Sequence, residues 1–440
     1  MFRLTFVCVI LISCSFQSKT AKTLRDAFKR HQPRSLNADQ ILKLSALSNV
    51  TQFQSVLNTV IQPRVVGTEG HEQVKQYLMN YMNGLGWTVE TDVFKDSTPI
   101  FGTLQFTNVI AKLNPNAQRF LTLACHYDSK YVREYTFNGA TDSAVPCSMM
   151  LNMAYVMRNV FNSAKNKEVY LSSERVVIVI VIMPLSFHHS SPLTCTHSVI
   201  CSSHLDLTLS LSHTPLEHLP LLSFLLNHAP ERALYLVERV DKCYNLDVWI
   251  MLLSRRVNGF QSNISLQFIF FDGEEAFKEW SDTDSLYGAR HLAQLWGNEP
   301  YSRGTQDRTT QLDRIDVLVL LDLLGAPDPS FFSFFPDTSS WYRVLINAEQ
   351  NLSSRGQLER YSSGRPQQSY FKKRSMYAGI EDDHVPFMKR DVPVLHLIPY
   401  PFPSVWHKQS DNLNAIDFTT CENLNKIFRV FVAEYLHLRV

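Results

Sequence analysis

The chain has 440 residues, 45% of them hydrophobic, so it is long enough for one large α/β domain or two average ones and has ample core. Its 42 Lys plus Arg residues nearly match its 41 Asp plus Glu. With no global positive field, nucleic acid and anionic membrane surfaces are disfavoured as partners.

The chain opens MFRLTFVCVILISCSFQSKTAK, with one basic residue, Arg3, then an apolar run over residues 4–14, then small and polar residues. This reads as a signal peptide, residues 1–18, with the mature chain starting near residues 17–22 and the protein secreted. The run is shorter than the roughly 20 apolar residues of a bilayer-spanning helix, so no membrane span is expected in the mature chain. Secretion places the remaining cysteines in an oxidising compartment, where a pair such as Cys125 and Cys147 can form a disulfide. Asn49, Asn263 and Asn351 each begin a glycosylation acceptor triplet, and Asn49, in a polar stretch flanking a helix, is the strongest of the three.

Over residues 38–86 apolar positions recur at helical spacing, most clearly in HEQVKQYLMNYMNGLGW, where Val74, Leu78, Tyr81 and Met82 share a face. The short apolar runs WTVETDVF, FTNVIAKL, FLTLAC, SLQFIFF, DVLVLLDLLG and VPVLHLIP follow, with helical patterns such as SMMLNMAYVMRNVF and SLYGARHLAQLW between some of them. That alternation predicts an α/β fold, a single domain whose central mixed, mostly parallel sheet is flanked by helices. Four runs end in ionisable residues: His126 and Asp128; Asp272, Glu274 and Glu275; Asp322; and His396. Ligands of open α/β sheets bind at the carboxyl ends of strands, so these endings are expected to converge on one site.

Residues 165–258 break the pattern with VVIVIVIM and a Ser, Leu, His and Thr-rich tract that holds seven of the chain's 15 histidines. The histidines are irregularly spaced, and Cys195, Cys201 and Cys243 form no CxxC pair, so no metal tract is expected there. The segment reads as an insertion, or as non-coding sequence carried in by a faulty gene model.

The segments CHYDSK (125–130), GATDSAVPC (139–147), FFDGEEAFKEWS (270–281), LLDLLGAP (320–327), EDDHVPF (381–387) and PFPSVWH (401–407) occur in that order. Together they resemble the glutaminyl-peptide cyclotransferases, a family related in fold to zinc aminopeptidases. The likeness runs from about residue 36 to residue 440, with 165–258 outside it, which implies one catalytic domain over 36–440. It implies a zinc-dependent acyltransferase with one zinc per chain, converting the N-terminal glutamine (or glutamate) of peptides and proteins to pyroglutamate. The ligands implied are Asp142, Glu275 and His407, with Glu274 as general base and acid. Asp322 and Asp382 resemble the two acidic residues that share a hydrogen bond and steady the intermediate, and Trp280, Phe402 and Trp406 resemble the pocket aromatics. Glu381 stands where many relatives carry Gln.

The chemistry independently favours a metal. An amine must attack an amide carbonyl and expel ammonia, which profits from a Lewis acid and a proton shuttle. Zinc accepts carboxylate oxygen and imidazole nitrogen, keeping a position open in catalytic sites. Gly273 allows a turn in which Glu274 and Glu275 address one centre. The rival reading is a two-zinc aminopeptidase of the same fold, its second metal held by His126 and Asp322 with Asp142 bridging.

Overall fold

The structure is a computed structural model that describes residues 8–14, 24–168, 176–184, 209–210, 233–239, 246–255, 264–301, 309–359 and 369–440. The chain divides into two compact units. The first comprises residues 1–20 and 168–261. Its strands Leu209–Ser210, Cys8–Cys14, Val176–Pro184, Leu246–Arg255 and Ala233–Arg239 pair antiparallel in that order. The seven histidines of the 165–258 tract, its three cysteines and Asn263 lie outside the described residues.

The second unit comprises residues 21–167 and 262–440. Its main sheet is built from β1 (Thr88–Thr98), β2 (Gly102–Lys112), β3 (Arg119–His126), β4 (Ile264–Phe271), β5 (Ile315–Leu321) and β6 (Val394–Leu397). The spatial order is β6-β5-β3-β4-β2-β1. Pairings among β6, β5, β3 and β4 are parallel, and those of β4 with β2 and β2 with β1 are antiparallel. Each of the six apolar runs read from the sequence therefore contributes a strand.

The parallel strands are buried from end to end because both faces are covered. Successive side chains alternate between two cores. On one face, Leu266, Phe268, Phe270, Val317, Val319 and Leu321 cluster with helices α1 (Glu69–Gly84), α2 (Val145–Val156) and α5 (Phe418–Tyr435). On the other, Ile269, Phe271, Leu318 and Leu320 meet Ala289, Leu292 and Trp296 of α3 (Tyr287–Asn298). Fully buried Phe268 illustrates the scale, since a Phe→Ala cavity there costs about 3–5 kcal/mol.

In α1, Val74, Leu78 and Met82 face the core while Tyr81 is half-buried, and Thr68 caps the start by accepting from the His71 N–H. The predicted helix after Cys147 is split: α2 ends at Val156, and a separate helix runs Arg158–Glu168. Ser339–Ser354 forms α4. Among the described residues no helix is long and apolar enough to cross a membrane. Cys125 at the end of β3 and Cys147 in α2 are joined in a disulfide, their Cα atoms 5.9 Å apart.

Candidate active site

Because β3, β4, β5 and β6 are parallel, their carboxyl ends share one edge of the sheet, and the four ionisable endings gather there. The loop after β4 carries Asp272, Gly273, Glu274 and Glu275. Gly273 has φ 69°, and a Cβ on it would fall 2.5 Å from the Phe106 ring, so only glycine fits this turn. The Gly273 and Glu274 carbonyls accept from the N–H groups of Tyr287 and Leu286 at 2.8 and 2.9 Å. Asp128 completes the grip: its two oxygens accept from the Glu274 and Glu275 N–H groups at 3.1 and 3.2 Å. One buried carboxylate thus sets the position of two neighbouring side chains. Burial pushes Asp128 up, but His126 and the two N–H donors outweigh it and hold it below the usual range.

Asp142, Glu275 and His407 converge, with one ligand-type atom from each lying within 4.8 Å of the others. His407 Nε2 is 3.3 Å from Asp142 Oδ2 and 3.5 Å from Glu275 Oε1. Both of those oxygens are buried and have no hydrogen-bond partner among the described residues. Orphaned carboxylate oxygens facing an imidazole nitrogen are what a divalent cation would satisfy, and two carboxylates with one imidazole suit zinc. The other oxygens are engaged, Glu275 Oε2 by Lys130 Nζ at 3.1 Å and Asp142 Oδ1 by His126 Nε2 at 3.0 Å. Burial disfavours charged His407, yet the two carboxylates outweigh it and raise the imidazole to about 9.

Two groups buried behind the Asp142 loop went unassigned at the sequence level. The Arg64 guanidinium donates to the carbonyls of Gln62, Asn138, Gly139 and Asp142. Burial lowers it to about 10, and Asp128, Asp142, Asp411 and Glu275 work against that. Gly139 has φ 52°, and a Cβ there would lie 2.1 Å from the Asp142 carbonyl oxygen. Asp411 accepts from the Thr141 N–H at 2.8 Å. Arg64 stands in PRVVGTEG, but its partners are main-chain carbonyls, which leave no signature in side-chain spacing.

Glu274 is buried, and burial pushes its carboxyl well above the usual range; His126 opposes the shift, while Glu275, Asp382 and Asp383 add to it. Asp322 and Asp382 do not share the hydrogen bond expected of them. Asp322 instead accepts from the Ser143 hydroxyl, and Asp382 bonds His396 Nε2 at 2.7 Å and the Asp383 N–H at 2.6 Å. They still divide their ionisation. Burial and Asp382 push Asp322 up to about 6, whereas the His396 bond overcomes burial and keeps Asp382 below the usual range.

Two of the three aromatic residues are exposed, unlike core rings, Trp280 at 37% and Trp406 at 40%, and Phe402 is half-buried. Trp406 stacks on His407 at 4.2 Å and meets Phe402 edge-on at 4.9 Å. Trp280 donates its indole N–H to Glu381 at 2.9 Å, which ties it to the segment bearing Asp382.

Residues 108–180 and 248–432 match peptidase family M28. A glutaminyl-peptide cyclotransferase of Drosophila melanogaster is 38% identical over 92% of this chain and 86% of its own length. One of Bos taurus is 36% identical over 93% and 88%. The crystal structure of the Macrostomum lignano glutaminyl cyclase superposes with TM-score 0.66 at 28% identity, covering 97% of this chain and 99% of that one. A zinc-dependent exopeptidase of Parabacteroides distasonis, at 16% identity, TM-score 0.51 and coverages of 87% and 96%, shares the fold. With its four ionisable strand ends gathered on one edge and these similarities over most of its length, the chain belongs to peptidase family M28 and, there, to the glutaminyl-peptide cyclotransferases.

Proposed function

We propose that this protein is a secreted, zinc-dependent glutaminyl-peptide cyclotransferase that closes the N-terminal glutamine of peptides to pyroglutamate with release of ammonia. The observation that carries the reading is the triad of Asp142, Glu275 and His407, with two orphaned buried oxygens, beside buried Glu274 in a chain so similar to named cyclotransferases.

The chemistry that a zinc ion held by this triad supplies is polarisation of the substrate's γ-amide carbonyl. Glu274 takes a proton from the attacking α-amine as the new C–N bond forms, and returns one to the nitrogen that leaves as ammonia. Its carboxyl, raised by burial, suits a group that must hold a proton during the reaction and then give it back. Ser143 and His396 hold Asp322 and Asp382 beside it. Phe402 and Trp406, packed on each other beside His407, are assigned as the apolar wall for the methylenes of the glutaminyl side chain, and Trp280 as their companion in the pocket.

One zinc per chain is favoured over two by the state of the oxygens. In the group of His126, Asp142 and Asp322, by contrast, the Asp322 oxygen already accepts from Ser143, which is no member of the group. Secretion is supported by the apolar leader and by the disulfide. Asn49 caps the helix Val50–Val60 and stands as the glycan site. Residues 1–18 are assigned as the leader and 165–258 as an insertion in the catalytic domain.

The test is to incubate purified protein with a peptide beginning with glutamine and weigh the product. Loss of one ammonia from an otherwise intact peptide is expected. Release of a free N-terminal residue would make it an aminopeptidase instead.

A further inference from the structure

Outside the triad, a groove of about 420 Å³ opens between the loop at residues 63–68, the β1–β2 turn and the loop at residues 130–137. That volume lies at the small end of ligand pockets, roughly 300–1,000 Å³. Its walls include Val65, Val66, Phe101, Leu104, Tyr131 and Phe137. Phe101 is 44% exposed and meets the Tyr131 ring edge-on at 5.0 Å, so the two rings present a joint apolar surface at the groove. Lys130 is the one charged residue of the lining among the described residues, and it is committed to Glu275 at 3.1 Å. A charged side chain entering the groove therefore finds no free partner among the lining residues.

Three residues of the lining are in direct contact with residues of the triad. Lys130 holds Glu275, the Tyr135 hydroxyl donates to the His407 carbonyl at 2.7 Å, and the Phe137 ring stands edge-on to the His407 ring at 6.3 Å. A peptide whose first residue sits at the triad continues outward at about 3.3–3.6 Å per residue, so its second and third side chains fall within the reach of these walls.

We infer that this groove is the subsite for the residues following the N-terminal glutamine of a substrate peptide, and that it selects a bulky apolar side chain, aromatic above all, at the second or third position. This rests on the cyclotransferase reading. Binding in the groove adds equally to the ground and transition states, so the preference appears mainly in KM.

The experiment compares two tetrapeptide amides with N-terminal glutamine, one with Phe at positions two and three and one with Ser at both, in the wild type and in Phe101→Glu. The wild type is expected to favour the Phe peptide in kcat/KM by roughly tenfold or more, since burying one large apolar side chain is worth at least that. The ratio should fall several-fold in Phe101→Glu. Both rates are read on one preparation, so partial unfolding scales them together and leaves the ratio intact. Equal wild-type rates on the two peptides, or a ratio unchanged by Phe101→Glu, would overturn the inference and leave the cyclotransferase reading standing. Ammonia from neither peptide would sink both. A groove meant for a second copy of the chain or another protein would give the equal-rate result.

Discussion

Asp128→Asn is the sharpest perturbation of the site, because it changes one buried atom while keeping size and shape. In the wild type each Asp128 oxygen accepts from one N–H, of Glu274 at 3.1 Å and of Glu275 at 3.2 Å. An asparagine offers one accepting oxygen and one NH₂ donor, so either N–H now faces a donor. Losing a hydrogen bond to a charged acceptor costs about 1.5–3 kcal/mol, and stranding a buried N–H costs about 1–3 more. A loss of about 3–5 kcal/mol follows, a large share of a typical 5–15 kcal/mol stability. Because the folded-state pKa of Asp128 is depressed, its contribution is present above the unfolded value near 3.9 and is lost as pH falls through the lower folded value. The gap between wild type and variant should thus be full at pH 7 and close in strong acid. Urea unfolding at several pH values reads the stability, elemental analysis the zinc, and initial rates the chemistry. Turnover and zinc content should both fall, since Glu274 and Glu275 lose a common anchor. A variant that keeps both and loses under about 1 kcal/mol would refute the assignment.

Glu275→Gln should lower zinc content, because an amide is a poorer ligand than a carboxylate. Glu274→Gln should retain about one zinc per chain while turnover drops by roughly 10² to 10⁴; full activity there would remove Glu274 from proton transfer. Cys147→Ser should cost about 2–4 kcal/mol in urea unfolding, and peptide mapping without reduction should recover Cys125 linked to Cys147. Finding both thiols free would end that claim. Replacing residues 165–258 by a short polar linker should preserve folding and activity, because closing a longer or shorter loop changes stability little. Aggregation of the shortened protein would make the segment structural.

Strand identity was legible because parallel strands buried on both faces must be apolar throughout, and β3, β4 and β5 stand out as such runs. Their shared edge followed from the same pattern, since parallel strands send their ionisable ends one way. Other features depend on contacts across long stretches of chain. Arg64 reaches carbonyls 74 to 78 positions away, and Asp411 reaches back 270 positions to Thr141. The partners of Asp322 and Asp382 are a serine hydroxyl and a histidine ring, choices that no spacing between two aspartates encodes. The break after Val156 lies in a stretch without Gly or Pro, so nothing local announces it.

His407 has φ 52°, a left-handed backbone that costs a residue with a side chain roughly 1–2 kcal/mol, and its carbonyl is fastened by the Tyr135 hydroxyl. Tyr135 also lines the groove. Whatever occupies the groove therefore bears on the clasp that keeps a metal-ligand candidate in a conformation it would otherwise leave. Linkage makes the effect run both ways: any factor by which a bound peptide tightens the metal is the factor by which the metal tightens the peptide.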